Sequence, residues 1–394
     1  LQALDPQRFP SVDWAVGPDG YYRQPIKPER YFGVLPFLGA TTDLGFIGPR
    51  GRDITVGLSI HAPNFYGAYF PEEAPSAFNF IGGMFLVAGA TAGAGWRINR
   101  YIAVGASVAY HYMTITMAQK LSTADLLTPE GQEPEGLAVL AQLALSDLRL
   151  DYLGTDHGVG WGLSLLLTPL PWLNIGLGYS GASAPRFSGD VSFRSLGDKI
   201  EDEQALRELA GDLGYKLPRQ LEIEMAIPPA LVAGVNVALG PGVEIGVDAR
   251  FWLYNLYDRQ TIRPVFDPTE QGKEPITEET LSRDKGYHLS YQLTAGVMVR
   301  PFSRLPGLEL MLGSGYDQSP IPDETLTIDN PSLSQVKLAT GLRWQIDRRW
   351  RVSATYMLVI YIPRDITTSR THPPTNIRGG GRSHSPALAV TCRL

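Results

Sequence analysis

The sequence predicts an all-β protein, a closed antiparallel transmembrane β-barrel of about 14 strands with short helices in its extracellular loops. Three observations point there: long segments in which every second residue is apolar, connections that alternate between short and long, and a composition rich in turn formers but poor in charge. Of 394 residues, 42 are Gly and 31 are Pro, while charged side chains make up 19%, against roughly 25% in soluble domains. No apolar run approaches the ~20 residues that a transmembrane helix needs. Barrel strands escape that test, because they alternate lipid-facing apolar residues with small or polar ones. The formal net charge of −6 comes with no basic block and leaves no footprint for nucleic acid, and the single Cys excludes a disulfide framework or a thiolate metal site.

Along the chain, Leu1 to Val16 offers a first strand or the end of one. From Tyr31 onward, tight turns fall near Gly48 to Gly51, Asn99 and Arg100, Pro169 to Pro171, Gly240 to Gly242, Ser303 to Gly307, and Asp347 to Arg349. Long polar connections alternate with them, near Ala62 to Asn79, Gln119 to Ser146, Arg186 to Gln220, Arg263 to Lys285, Asp317 to Ser334, and Arg364 to Gly380. This alternation implies about 13 strands, and one more brings both chain ends to the short-turn rim. Outer-membrane barrels have this asymmetry, with short periplasmic turns and long extracellular loops.

The strands between these connections carry period two. Val243, Ile245, Val247, Ala249, Phe251 and Leu253 share one parity, opposed by Glu244, Gly246, Asp248, Arg250, Trp252 and Tyr254. Leu289, Tyr291, Leu293, Ala295, Val297 and Val299 repeat the pattern. So do the alternate residues from Trp350 to Ile362, a span of ~43 Å at ~3.3 Å per residue, well beyond a common globular strand. The chain ends inside such a strand, where Cys392 is a small lipid-facing residue with nothing nearby to activate it.

Two long connections hold apolar residues at helical spacing: Leu137, Val139, Leu140, Leu143, Ala144 and Leu148 in one, and Ile200, Leu206, Leu209, Ala210 and Leu213 in the next. Such faces must bury against something, either each other as a lid or a captured apolar ligand. By parity Arg250 and His288 point inward and are the candidates for an acid headgroup; Asp248 and Glu244 also make a structural charge ladder with Arg250 plausible chemistry. Pro63 and Gly67 interrupt the run after His61, and Pro in a strand removes a ladder hydrogen bond and marks an edge or bulge, or simply the start of a loop. Phe65, Tyr66, Tyr69 and Phe70 line this point or form an interfacial girdle.

Enzymatic readings fail. Gly158, Gly160 and Gly162 superficially suggest a nucleotide loop, but Trp161, Leu163, Leu165 and Leu167 alternate as a strand, so these glycines relieve crowding inside a barrel. The acidic group Asp198, Glu201, Asp202 and Glu203 reads as a solvated face, or as a cation site beside lipopolysaccharide. No metal-ligand spacing, nucleophile arrangement or cofactor motif stands out.

GYDQSPIPDETLTI (Gly315 to Ile328), followed by Asn330-Pro331 and QVKLATGLRW (Gln335 to Trp344), resembles the late strands of the long-chain fatty acid transporter family of FadL/TodX type. Ile175 to Phe193, Pro228 to Leu239, Ala249 to Asn255 and Tyr291 to Pro301 are similar to its middle strands, and Asp53 to Gly67 to its third. The resemblance spans about Tyr31 to Leu394. It implies a bacterial outer-membrane channel for hydrophobic compounds such as long-chain fatty acids, with a hydrophobic groove among the outer loops formed by Leu140, Leu143, Leu209 and Leu213. It also implies a lateral wall opening at the third strand, beside Pro63, Phe65 and Gly67. The family's signal peptide and amino-terminal plug with its Asn-Pro-Ala motif are not expected in this numbered chain, and Leu394 stands where such barrels usually end in an aromatic residue. The partners implied are a hydrophobic small molecule and membrane lipid or lipopolysaccharide. The alternative is a non-transporting barrel of the same family that acts as a scaffold or partner subunit in an envelope complex.

Overall fold

A computed structural model describes residues 15, 17–18, 21–29, 32–122, 147–196, 202–212, 214–269, 273–275, 280–300, 305–330, 332–371 and 373–393. Seventeen strands join in one sheet. In chain order the strands are β1 (Phe37–Asp43), β2 (Ile54–Tyr69), β3 (Gly82–Arg97), β4 (Ile102–Leu121), β5 (Leu148–Leu170), β6 (Leu173–Ser180), β7 (Arg186–Ser195), β8 (Tyr215–Lys216), β9 (Gln220–Glu224) and β10 (Ala230–Ala238). They continue with β11 (Val243–Trp252), β12 (Arg259–Val265), β13 (Glu274–Pro275), β14 (Leu281–Asp284), β15 (Ser290–Val299), β16 (Leu308–Asp317), β17 (Gln335–Gln345), β18 (Trp350–Asp365) and β19 (Arg378–Cys392). The α-helix α1 (Glu203–Asp212) lies between β7 and β8, and β8 and β13 form a separate parallel pair.

Thirteen strands make the continuous antiparallel ladder: β1 to β6, then β10, β11 and β15 to β19. Its connections alternate short and long as the turn signals predict. The fourteenth strand, expected from Leu1 to Val16, falls outside the described residues apart from Ala15, and among those residues no ladder joins β19 to β1. Gly307 shows why a short turn needs its glycine: its φ is +88°, and a Cβ there would lie 2.8 Å from the Gln345 carbonyl oxygen.

The connections read as polar loops contain more sheet than their sequence announces. β5 pairs with β6 only from Gly162 to Leu170, and its first half, Leu148 to Thr155, pairs instead with β7. β7 pairs with β9, β9 with β12, and β12 with β14. The physical reason is that a strand projecting beyond its neighbour leaves backbone donors and acceptors that must find partners. These extensions carry the sheet past the rim on the long-connection side.

One face of each strand stays exposed and apolar. Leu58, Ile60, Val108, Tyr110, Val159, Trp161 and Leu163 share it on β2, β4 and β5, and Leu388 and Val390 continue it on β19. The opposite, inner face carries small residues where large ones approach. A Cβ on Gly160 would lie 2.7 Å from the His111 ring, one on Gly158 2.9 Å from Met113 Cε, and one on Gly162 3.0 Å from Ser107 Oγ. The glycine row thus makes room for inward side chains and cradles no phosphate. Cys392 is exposed, opposite Trp350.

Candidate ligand path

The irregular point in the wall is β2. Its ladder with β1 ends at Phe37↔His61, and its ladder with β3 shifts register between His61↔Gly89 and Asn64↔Val87, so that Ala62 and Pro63 stand opposite Ala88 alone. Pro63 brings no donor, and a bulge lets the strand pass it without ending. The strand therefore continues to Tyr69, and the loop start allowed for at Ala62 is not there. Past the bulge no strand among the described residues pairs with β2 on the β1 side; the Glu29 N–H donates to the Tyr69 carbonyl at 2.7 Å.

The extra residue inverts the strand's parity. Before it, His61 shares the inner face with Gly89 and His111; after it, Tyr66 does, opposite Phe85. Phe65 stands opposite Leu86, and Gly67 opposite Met84 in regular pairing. Gly67 is no break in the strand. A Cβ there would sit 2.8 Å from the Gly83 carbonyl oxygen, so glycine is required by the close approach of β2 to β3.

From Tyr66 aromatic contacts lead toward the long connections. Tyr66 lies 5.2 Å from Phe85, and Phe85 meets Phe187 of β7 edge-on at 6.0 Å. Phe85, Phe187, Met113, Phe193, Leu221 and Ile223 belong to one buried apolar cluster that fills this end of the inner face. The Tyr152 hydroxyl anchors it, donating to the Phe187 carbonyl at 3.1 Å. Sequence reading missed Phe85 and Phe187, because each sits in a strand with nothing but parity to mark it.

The helix α1 closes on this cluster. Leu206 and Ala210 are buried in it, and Leu209 is half-buried. Arg207 fixes the helix, donating to the carbonyls of Leu217 and Pro218 at 3.0 Å each and pairing with Glu203 at 2.6 Å. The apolar face is thus turned onto the sheet. Leu140, Leu143 and Leu213 lie outside the described residues, so their meeting with Leu209 is not part of this geometry.

The polar candidates settle differently from their sequence reading. His288 is exposed and precedes β15; its backbone N–H donates to the Pro320 carbonyl at 2.8 Å, which takes it out of the ladder. Arg250 is exposed and stacks over Trp252 at 5.5 Å, and Glu244 pairs with Arg300 at 2.8 Å instead of with Arg250. Arg300 also binds Glu309 at 2.8 Å, and Glu309 binds Arg343. This network spans β11, β16 and β17 near the short turns, so that end of the inner face is strongly polar. No group of three or more metal-ligating side chains gathers among the described residues.

On the outer face, Ala90 and Ala92 leave a shallow apolar groove of about 640 Å³ between Leu58 and Ile60 on one side and Val108 and Tyr110 on the other. It begins two residues from the bulge.

Residues 38–390 match the family described as outer membrane protein transport protein (OMPP1/FadL/TodX). No curated protein matches the sequence. Among solved structures, a Pseudomonas aeruginosa FadL homologue is similar at 15% identity with a TM-score of 0.68, over 90% of this chain and 76% of that one. The Pseudomonas putida toluene transporter TodX is similar at 15% identity and TM-score 0.59, over 90% and 81%. The Ralstonia pickettii toluene transporter TbuX follows at 14% and 0.56, over 86% and 76%.

Proposed function

Because the chain belongs to the outer membrane transport protein family OMPP1/FadL/TodX, whose members carry hydrophobic compounds, we propose that it is a closed outer-membrane channel for the uptake of such compounds, with lateral exit at the β2 bulge. The observation that carries this reading is the combination at β2: a register shift at Pro63, where the ladder with β1 ends at His61, and aromatic contacts leading from it to the apolar cluster.

Strand direction supports closure. The first and last of thirteen alternating strands run the same way, so one further strand between β19 and β1 completes an antiparallel wall of 14. Lipid allows no open edge, since an unpaired backbone group there costs several kcal/mol. The long-connection rim is extracellular.

Capture takes place among the long connections, whose sequence supplies Leu140, Leu143, Leu209 and Leu213, and the ligand then follows Phe187, Phe85 and Tyr66. Passage straight through faces two barriers. Each CH₂ exposed to water costs roughly 0.8 kcal/mol, and the Glu244, Arg300, Glu309 and Arg343 network lines the way. Exit beside Pro63, Phe65 and Gly67 delivers the ligand to lipid, next to the alanine-lined outer groove.

Uptake of a radiolabelled hydrophobic compound by cells lacking the protein, with and without the restored gene, tests the reading. Restoration is expected to raise the initial rate tenfold or more. An equal rate, with the protein correctly inserted, would favour a scaffold.

A further inference from the structure

Charge is spread unevenly over the two rims. The whole chain is acidic, with 34 basic and 40 acidic side chains, yet the short turns near the two ends of the ladder are basic. Arg50 and Arg52 stand in the β1–β2 turn, Arg97 and Arg100 at the β3–β4 turn, and Arg348 and Arg349 in the β17–β18 turn. All six are exposed, and none enters an ion pair among the described residues. The carboxylates beside them are Asp43, Asp53 and Asp347, and two of these are engaged in shaping the turns. Asp347 accepts from the N–H groups of Arg349 and Trp350 at 2.7 Å each, and Asp43 from the Gly45 N–H at 2.9 Å. In the middle of the ladder the picture changes. The turns at 170–172 and 239–242 carry no charge, and Arg300 and Arg343 are answered by Glu244 and Glu309.

Exposed apolar side chains share these turns. Trp96 and Tyr101 flank the β3–β4 turn, Trp344 and Trp350 the β17–β18 turn, and Phe46 and Ile47 precede Arg50 and Arg52 in the β1–β2 turn. The Arg100 guanidinium stacks over the Tyr101 ring at 4.5 Å. Trp and Tyr gather where a bilayer meets water, since the ring body is apolar and its N–H or O–H is not. Cations at the edge of that layer lie at the level of lipid phosphates, and the planar guanidinium fork matches two phosphate oxygens. A soluble acidic protein would answer the charge and leave Phe46, Ile47 and the tryptophans bare. A zwitterionic headgroup brings its own ammonium and leaves the excess positive charge unanswered.

We propose that the β1–β2, β3–β4 and β17–β18 turns form a binding surface for anionic phospholipid, with the six arginines on the headgroup phosphates and Phe46, Ile47, Trp96 and Trp350 against the first carbons of the acyl chains. The surface selects lipids of net negative charge for the leaflet on the short-turn side, at the strands on either side of the β19 and β1 ends. This goes beyond the transport reading and holds whether or not ligand leaves at β2.

Titration of the detergent-solubilised full chain with dioleoylphosphatidylglycerol or dioleoylphosphatidylcholine, with bound lipid counted by native mass spectrometry, tests it. The glycerol lipid is expected to bind at least fivefold more tightly than the choline lipid. Replacing Arg50, Arg52, Arg348 and Arg349 together by Gln should bring that ratio to within twofold. Replacing Arg186, Arg219, Arg259 and Arg263 of the long connections by Gln should leave it unchanged. If the fourfold turn variant does not assemble, Arg348→Gln with Arg349→Gln alone should lower the ratio about twofold. A wild-type ratio near one overturns the proposal and leaves the turns to a soluble acidic partner. A fivefold ratio that survives in the turn variant, or falls equally in the long-connection variant, overturns it as well. Lipid reaches both rims of a micelle-bound barrel, so the result is independent of which rim faces outward and of whether the channel transports.

Discussion

Among the described residues three strands of the wall shift register at a proline: β5 at Pro169, beside its short turn, and β2 and β18 on the long-connection side, where the surroundings differ. In β2 the ladder slips between His61 and Asn64 around Pro63; in β18 it slips between Tyr361 and Arg364 around Pro363, opposite Gly380. Each proline lies just past the point where one neighbour ends, β1 at Phe37↔His61 and β17 at Gln335↔Tyr361. Beyond that point β18 is covered. The Ile362 N–H donates to the Ser334 carbonyl at 2.8 Å, and the Arg364 guanidinium donates to Asp323 at 2.6 Å and to the Ile321 carbonyl at 2.8 Å. β2 has only the Glu29 bond to Tyr69 as a described backbone contact from that side. A bulge by itself is therefore no gate; among the described residues the two places differ in what reaches the released edge, a side-chain and backbone clamp at β18 and the Glu29 backbone at β2.

The largest effect is expected where a proline is put into a strand paired on both sides. Ala109 of β4 faces Thr91 and Gly160. Ala109→Pro removes a ladder donor with no bulge to absorb it and should cost roughly 2 kcal/mol or more, seen as loss of the heat-modifiable folded band. Tolerance of this variant would mean that prolines are placed freely in this wall.

Uncovering β18 comes next. The Arg364 side chain is 24% exposed, so solvent screens its ion pair with Asp323 in part. Arg364→Met should cost about 1.5 kcal/mol, lowering the thermal midpoint and raising hydrogen exchange across 319–334. No change in exchange would show that this segment does not depend on β18.

Pro363→Ala should change stability by less than about 0.5 kcal/mol and leave uptake unaltered, read by thermal unfolding and initial rates. A large uptake loss here would move the exit to β18.

Much of this architecture is legible in the residues. Val243 to Trp252 and Trp350 to Ile362 state their faces through parity alone, and Pro63 announces its irregularity because a missing donor is a local property. What resists reading depends on distant partners. β7 and β9 lie in a polar stretch, and they become strands because the projecting half of β5 needs their backbone. His288 fits the inner parity but leaves the ladder through its bond to Pro320. Lys285 looks like any loop lysine, yet its backbone is bonded to Asp258 and Thr325 and the residue is buried. Gly67 suggests flexibility, yet its role is set by the nearness of Gly83.

The most direct test is deletion of Pro63. With that residue removed, His61↔Gly89 can be followed by Ala62↔Ala88 and Asn64↔Val87, so the ladder becomes regular and every later residue keeps its partner. Initial uptake of a radiolabelled hydrophobic compound is measured in cells carrying equal amounts of inserted wild-type and deleted protein, alongside binding to the solubilised proteins. Lateral exit at β2 predicts at least a tenfold loss of uptake with binding unchanged; full uptake through the regularised strand would contradict it.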